Sequence, residues 1–66
     1  MKNNIKVFRA KLDLTQDQLA KNLGVSRQTV NAIEKGKFNP STVLALKMAK
    51  LFEAPVDEIF ELEEDD

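Results

Sequence analysis

Arg27, Gln28 and Asn31 fall close together in a 66-residue chain that has neither His nor Cys. A guanidinium and two carboxamides are neither nucleophiles nor general bases. They are paired hydrogen-bonding groups: Arg can donate twice to guanine, and Gln or Asn can pair twice with adenine. Reactive chemistry is poorly provided for elsewhere. Ser26, Ser41 and the threonines lack the common general base, and the one dense group of carboxylates lies at the C-terminal end. No Gly-rich phosphate loop is present. Without His or Cys the usual zinc ligands are missing. The chain is not expected to be an enzyme, and no metal, cofactor or small-molecule effector is implied.

The elements that position these side chains must come from one small domain. With 42% hydrophobic and 32% charged residues the chain has enough apolar side chains for a core. It has no disulfide to brace that core, so helix packing or a partner subunit must supply the stability. No apolar run approaches the ~20 residues of a membrane span. Met1-Lys2-Asn3-Asn4 leads into no signal-peptide core. The absence of Cys suits a reducing compartment, so a cytoplasmic protein is expected.

The net charge of −1 hides an uneven distribution. Glu61, Glu63, Glu64, Asp65 and Asp66 sit in the last six positions, and without them ten basic residues face six acidic ones, a net charge of +4. The expected division is a domain over residues 1–60 and an acidic tail over 61–66. Such a tail is either a solvated, frayed terminus or a device that repels DNA from the wrong face.

Helix signals recur along the chain. Ile5, Phe8 and Leu12 mark a first helix over about 4–12. Thr15 with Gln18 forms a capping box for a second helix, about 16–23, and Leu14 with Leu19 forms a hydrophobic staple. Gly24 stops that helix. Ser26 caps a third, about 27–35, with Val25 and Val30 as its staple, and Gly36 ends it. After a turn at Lys37-Phe38-Asn39-Pro40, Ser41 caps a fourth helix over about 42–52, with Val43, Leu44, Met48, Leu51 and Phe52 at its apolar positions. Pro55 opens a short fifth helix, about 56–60. The reading is an all-α domain of five short helices. Leu19, Leu23, Val30, Ile33, Leu44, Met48 and Leu51 are its expected core, and Phe38 is expected to pack under its loop rather than against sugar and phosphate.

At about 100° per residue, Val30 and Ile33 share one side of the third helix, and Arg27, Gln28, Asn31 and Lys35 share the other. Simple solvation explains a polar face, and so does base reading. The short turn Gly24-Val25-Ser26 adds weight to the second, because two helices joined this way cross steeply, and such a pair can lay the second helix into a major groove.

The run Thr15-Gln16-Asp17-Gln18-Leu19-Ala20, then Leu23-Gly24-Val25-Ser26-Arg27-Gln28-Thr29-Val30, then Ile33-Glu34-Lys35-Gly36, resembles the Cro/C1-type (XRE) helix-turn-helix regulators. The likeness continues through Asn39-Pro40-Ser41 to Asp57-Glu58-Ile59-Phe60, and the length resembles the minimal stand-alone members. It implies a compact five-helix, lambda-repressor-like DNA-binding domain with a short antiparallel ribbon joining the N-terminal residues to the chain around Phe60 to Leu62. It implies base contacts from Arg27, Gln28 and Asn31, and phosphate contacts from Gln16, Ser26, Lys35, Lys37, Asn39, Ser41 and Thr42. The backbone N–H of Gln16 also sits at a positive helix end. Ala32 departs from the pattern, since some phage repressors carry a third base-reading amide there. Arg9 is implied to pair with Glu34 as a structural brace.

Val56, Ile59, Phe60 and Leu62 are more apolar than the end of a small domain needs, and together with the resemblance they suggest a homodimer interface. The expected function is a sequence-specific regulator, a repressor, that binds a palindromic operator in double-stranded DNA as a homodimer. The alternative is a protein-interaction module or antitoxin component built on the same helices. Exposed Leu or aromatic residues on the third helix would mark that version, and here the face carries Arg27, Gln28 and Asn31.

Overall fold

In the computed structural model, which describes residues 1–66, the chain order is β1 (Lys2–Asn3), α1 (Ile5–Lys11), α2 (Gln16–Leu23), α3 (Arg27–Glu34), α4 (Thr42–Phe52), α5 (Val56–Ile59) and β2 (Phe60–Glu61). Five helices and a two-stranded ribbon are the architecture implied by the resemblance.

Caps built from neighbouring residues define most helix starts. Thr15 Oγ1 accepts from Gln18 N at 3.1 Å and Gln18 Oε1 accepts from Thr15 N at 2.9 Å, closing the capping box of α2. Ser26 and Ser41 accept from Thr29 N and Leu44 N, each at 3.1 Å, and start α3 and α4. Gly24 stands at φ 75°, a conformation that costs an L side chain roughly 1–2 kcal/mol. There the chain leaves α2 while Val25 N still donates to Ala20 O at 3.0 Å.

Four bounds, in three of the helices, differ from the sequence reading. α1 begins at Ile5 because Asn4 has left the helical region, with φ −115° and ψ 23°. It ends at Lys11 because Asp13 turns left-handed at φ 56°. α3 closes at Glu34, with Lys35 as its cap and Lys37 N donating back to Ala32 O at 2.9 Å. Phe60 is extended, at φ −119° and ψ 142°, so α5 stops at Ile59 and Phe60 begins β2.

The ribbon joins the two ends of the chain. Lys2 faces Glu61 and Asn3 faces Phe60 in antiparallel register, and Asn4 N donates to Ile59 O at 2.7 Å. The tail is exposed but not free, being tied back to the first residue. The Met1 ammonium sits 3.0 Å from Glu63 Oε1 and 3.1 Å from Asp66 Oδ1. Hydrogen bonds to the Glu63 and then the Asp66 carboxylates hold that ammonium above its ordinary pKa. The Asp66 carboxyl lies below its usual value because it accepts from Glu63 N and then from the Met1 ammonium.

All the helices and β2 contribute to one core: Ile5, Leu19, Ala20, Leu23, Val30, Ile33, Leu44, Met48, Phe52, Ile59 and Phe60, with no buried polar or charged residue among them. Phe8 stacks on Phe52 with ring centroids 5.2 Å apart and tethers α1 to α4. Leu51 lies at the edge of this core rather than inside it. Phe38 does not pack under its loop, being 53% exposed. The core is already closed by side chains from α3 and α4, on either side of that turn.

Gly24→Ala tests the turn. Nothing lies within 4 Å of an added Cβ, so the whole penalty is conformational. About 1–2 kcal/mol is expected, a fall in Tm of roughly 4–8 °C per kcal/mol on thermal unfolding followed by circular dichroism. An unchanged Tm would contradict the assignment of that turn.

Candidate nucleic-acid interface

α2 and α3 bury one face each against the core, through Leu19, Ala20 and Leu23 on α2 and Val30 and Ile33 on α3. What remains outward on α3 is polar. Arg27 and Gln28 are exposed, Asn31 is half-buried, and with Gln16 at the start of α2 they line one open concavity that contains no hydrophobic residue. Four side chains from two helices thus form a single hydrogen-bonding surface.

Behind this surface runs a chain of side-chain hydrogen bonds. Arg9 Nε donates to Glu34 Oε2 at 2.9 Å and Nη2 donates to Glu34 Oε1 at 3.2 Å, a two-point grip. Arg9 Nη1 donates to Leu14 O at 3.0 Å, which fixes the segment entering α2. The pair is well shielded, its side chains retaining 16% and 8% exposure. Gln16 Nε2 then donates to Glu34 Oε1 at 3.4 Å, and Asn31 Nδ2 donates to Gln16 Oε1 at 3.3 Å. Asn3 closes the far end of α3 by donating from Nδ2 to Ile33 O at 2.9 Å and Glu34 O at 3.3 Å, so the last carbonyls of that short helix are satisfied by the ribbon.

The remaining residues singled out for DNA contact are more dispersed. Lys35, Lys37 and Asn39 are exposed after α3. Ser26 and Ser41 already use their hydroxyl oxygens as helix caps, which leaves each backbone turn ordered. Ser41 and Thr42 also border an apolar groove with Met1, Pro40, Ala45, Leu46, Val56 and Phe60. Ala32 is half-buried.

The apolar residues expected at a dimer interface divide. Leu62 is 78% exposed and Val56 half-buried, whereas Ile59 is 0% exposed. Ile59 is therefore corrected to a core residue: it closes the core beneath the ribbon and has no surface left for a second copy. Phe60 is also mostly core and shows only an edge to the groove. Leu46, to which sequence reasoning gave no role, is more than half exposed and lines the same groove as Val56. Its signal was available: Leu46 lies about 200° around α4 from Leu44, opposite the stripe of Leu44, Met48 and Phe52. Asn3 was also missed, and no local pattern marks it.

This geometry is that of a helix-turn-helix unit with its second helix open to solvent. A family model described as "Helix-turn-helix" matches residues 5–59, and the chain belongs to this XRE-type family of transcriptional regulators, which are not enzymes. The chain is 56% identical over 66 residues to an uncharacterized HTH-type transcriptional regulator of Methanocaldococcus jannaschii, covering 100% of both chains. It is 48% identical over 65 residues to the uncharacterized HTH-type transcriptional regulator YgzD of Bacillus subtilis, covering 98% of each. It is 33% identical over 57 residues to the cryptic phage CTXphi transcriptional repressor RstR of Vibrio cholerae, covering 86% of this chain and 51% of RstR. No helix is long and apolar enough to cross a membrane.

Arg9→Met tests the brace. It leaves Glu34 shielded and without its cation, so a loss of about 3 kcal/mol is expected, at the lower end of what breaking a buried pair costs because some solvent still reaches this one. Urea denaturation measures it. A variant with unchanged stability and weakened DNA affinity would show that Arg9 acts on DNA instead.

Proposed function

We propose that this protein is a cytoplasmic sequence-specific repressor that binds a palindromic operator as a homodimer. α3 lies in the major groove, and two copies meet half-sites about one helical turn, roughly 34 Å, apart. The observation that carries this reading is the concavity formed by Gln16, Arg27, Gln28 and Asn31 on the open side of α2 and α3. The side chains of Arg27 and Gln28 make no hydrogen bond within the protein and line the open concavity. Arg27 fits guanine O6 and N7, and Gln28 fits adenine N6 and N7. Asn31 is the third reader. Gln16, Ser26, Lys35, Lys37, Asn39, Ser41 and Thr42 contact phosphates and set register, and they make affinity fall steeply with salt. Repression follows from occupying promoter DNA. The repressor name of RstR supports that sign of regulation.

The dimer surface is the groove between α4 and the end of the chain, where Leu46, Val56 and an edge of Phe60 meet Pro40, with Leu62 exposed further along the chain. A small domain with this much apolar surface gains stability by pairing.

Fluorescence anisotropy on DNA from the protein's own promoter and on scrambled DNA, at two salt concentrations, tests the reading. Promoter preference is expected for the native chain and is lost in Arg27→Ala/Gln28→Ala with its circular dichroism unchanged. Each good bidentate base contact removed reduces discrimination by about 1–3 kcal/mol. Equal, weak and strongly salt-dependent binding to both DNAs would overturn it and favour a protein partner for this face.

Leu46→Asp tests the dimer. Sedimentation velocity is expected to show a dimer for the native chain and a monomer for the variant, with helix content retained. A native chain that sediments as a monomer on operator DNA would overturn the paired arrangement.

A further inference from the structure

Glu34 is an acceptor at both oxygens when ionised, so the end of Gln16 that faces it must be the amide nitrogen. The contact is Gln16 Nε2 to Glu34 Oε1 at 3.4 Å. That choice turns Gln16 Oε1 toward α3, where the group meeting it must donate. Asn31 Nδ2 does so at 3.3 Å. Asn31 Oδ1 has no partner within the protein, and no polar side-chain atom is both buried and unpartnered. The oxygen is therefore open to the concavity that Asn31 lines with Gln16, Arg27 and Gln28. A reversed Asn31 amide would set its oxygen against Gln16 Oε1, two acceptors facing each other with no proton between them.

We propose that Glu34, acting through Gln16, fixes the polarity of the Asn31 amide, so that this side chain offers a carbonyl acceptor to the groove and selects a base carrying an amino group over one carrying a keto oxygen. A free Asn can turn its amide to suit either. The held one accepts from adenine N6 or cytosine N4 and opposes guanine O6 or thymine O4. Its second Nδ2 proton remains available to adenine N7, which makes adenine the preferred base. Gln16 and Glu34 are then positioning residues that determine specificity without touching a base. Arg9 holds Glu34 in place from the other side, at 2.9 Å, so the polarity is set by the same pair that braces the fold. The consequence for base choice rests on the DNA-reading function proposed above; the hydrogen-bonded relay itself does not.

Two measurements separate them. In the free protein, nitrogen-edited NMR of the side-chain amides should show an Asn31 NH₂ pair that is widely split and slow to rotate compared with Asn22, which is exposed and has no such partner. Gln16→Met leaves the Arg9–Glu34 pair intact and should make Asn31 resemble Asn22. An Asn31 pair already like that of Asn22 in the native chain would overturn the relay whatever the protein does on DNA. Selection from a randomised duplex library then reads the consequence, with Asn31→Ala identifying the base pair that Asn31 contacts. The native chain should favour an amino-bearing base there by about tenfold, the effect of one base-edge hydrogen-bond set. Gln16→Met should bind all sequences more weakly, because its phosphate contact goes, and should in addition lose that one preference while the order of preference at the other positions stays. Weaker binding with the preference at the Asn31 position retained would overturn the positioning role and leave Gln16 a phosphate ligand alone. A native chain with no preference at any position would overturn the DNA-reading function and this consequence with it.

Discussion

The Arg9–Glu34 pair stands where α1, the last turn of α3 and the segment entering α2 converge. A domain of 66 residues buries a smaller share of its surface than a larger domain does, so core packing leaves it less margin to fix the angle between its short helices. Arg9 spends three donor groups there, two on Glu34 and one on Leu14 O. The planar guanidinium makes this a geometric constraint as well as an attraction, because a lysine could reach either partner without fixing the direction between them. This contact and Asn3 at the helix end, together with Val30 and Ile33 in the core, set the orientation of what α3 presents to solvent.

Short helices need their ends satisfied. α2 and α3 are each 8 residues long, so a large fraction of their N–H and C=O groups lack an intrahelical partner. Thr15, Gln18 and Ser26 supply the N-terminal side, and Asn3 the C-terminal end of α3. The ribbon has a related role. By pairing Lys2–Asn3 with Phe60–Glu61 it brings Asn3 against α3 and holds Ile59 and Phe60 over the core. The two ends of the chain and α3 are thus mechanically one unit.

Much of this was legible in the sequence because its signals are local. Capping boxes, staples and stop glycines are patterns of residues within one turn of each other, and α2 and α3 grow from them directly. The polar face of α3 follows from its 3.6-residue period. What could not be read joins residues distant in sequence: the hydrogen bonds from Asn3 to α3, and the link from Gln16 to Asn31. The Arg9–Glu34 pair belongs to that class too, and was reached through the family resemblance rather than from spacing. Phe38 shows a different limit, since an aromatic residue in a turn gives no sign of whether the core has room for it. Ile59 is buried and Leu46 exposed for a physical reason. Apolar residues near a chain end suggest an interface, but Ile59 is drawn into the core by the ribbon, while Leu46 faces outward on the far side of α4.

Methylation interference on the protein's promoter DNA tests the central claim most directly, because it distinguishes the two grooves at single bases. Guanine N7 lies in the major groove, where Arg27 is proposed to meet it, and adenine N3 lies in the minor groove. The account predicts that N7 methylation blocks binding at symmetry-related guanines about one helical turn apart, and that N3 methylation between them does not. Interference confined to adenine N3, or none at any base, would contradict a third helix that reads the major groove.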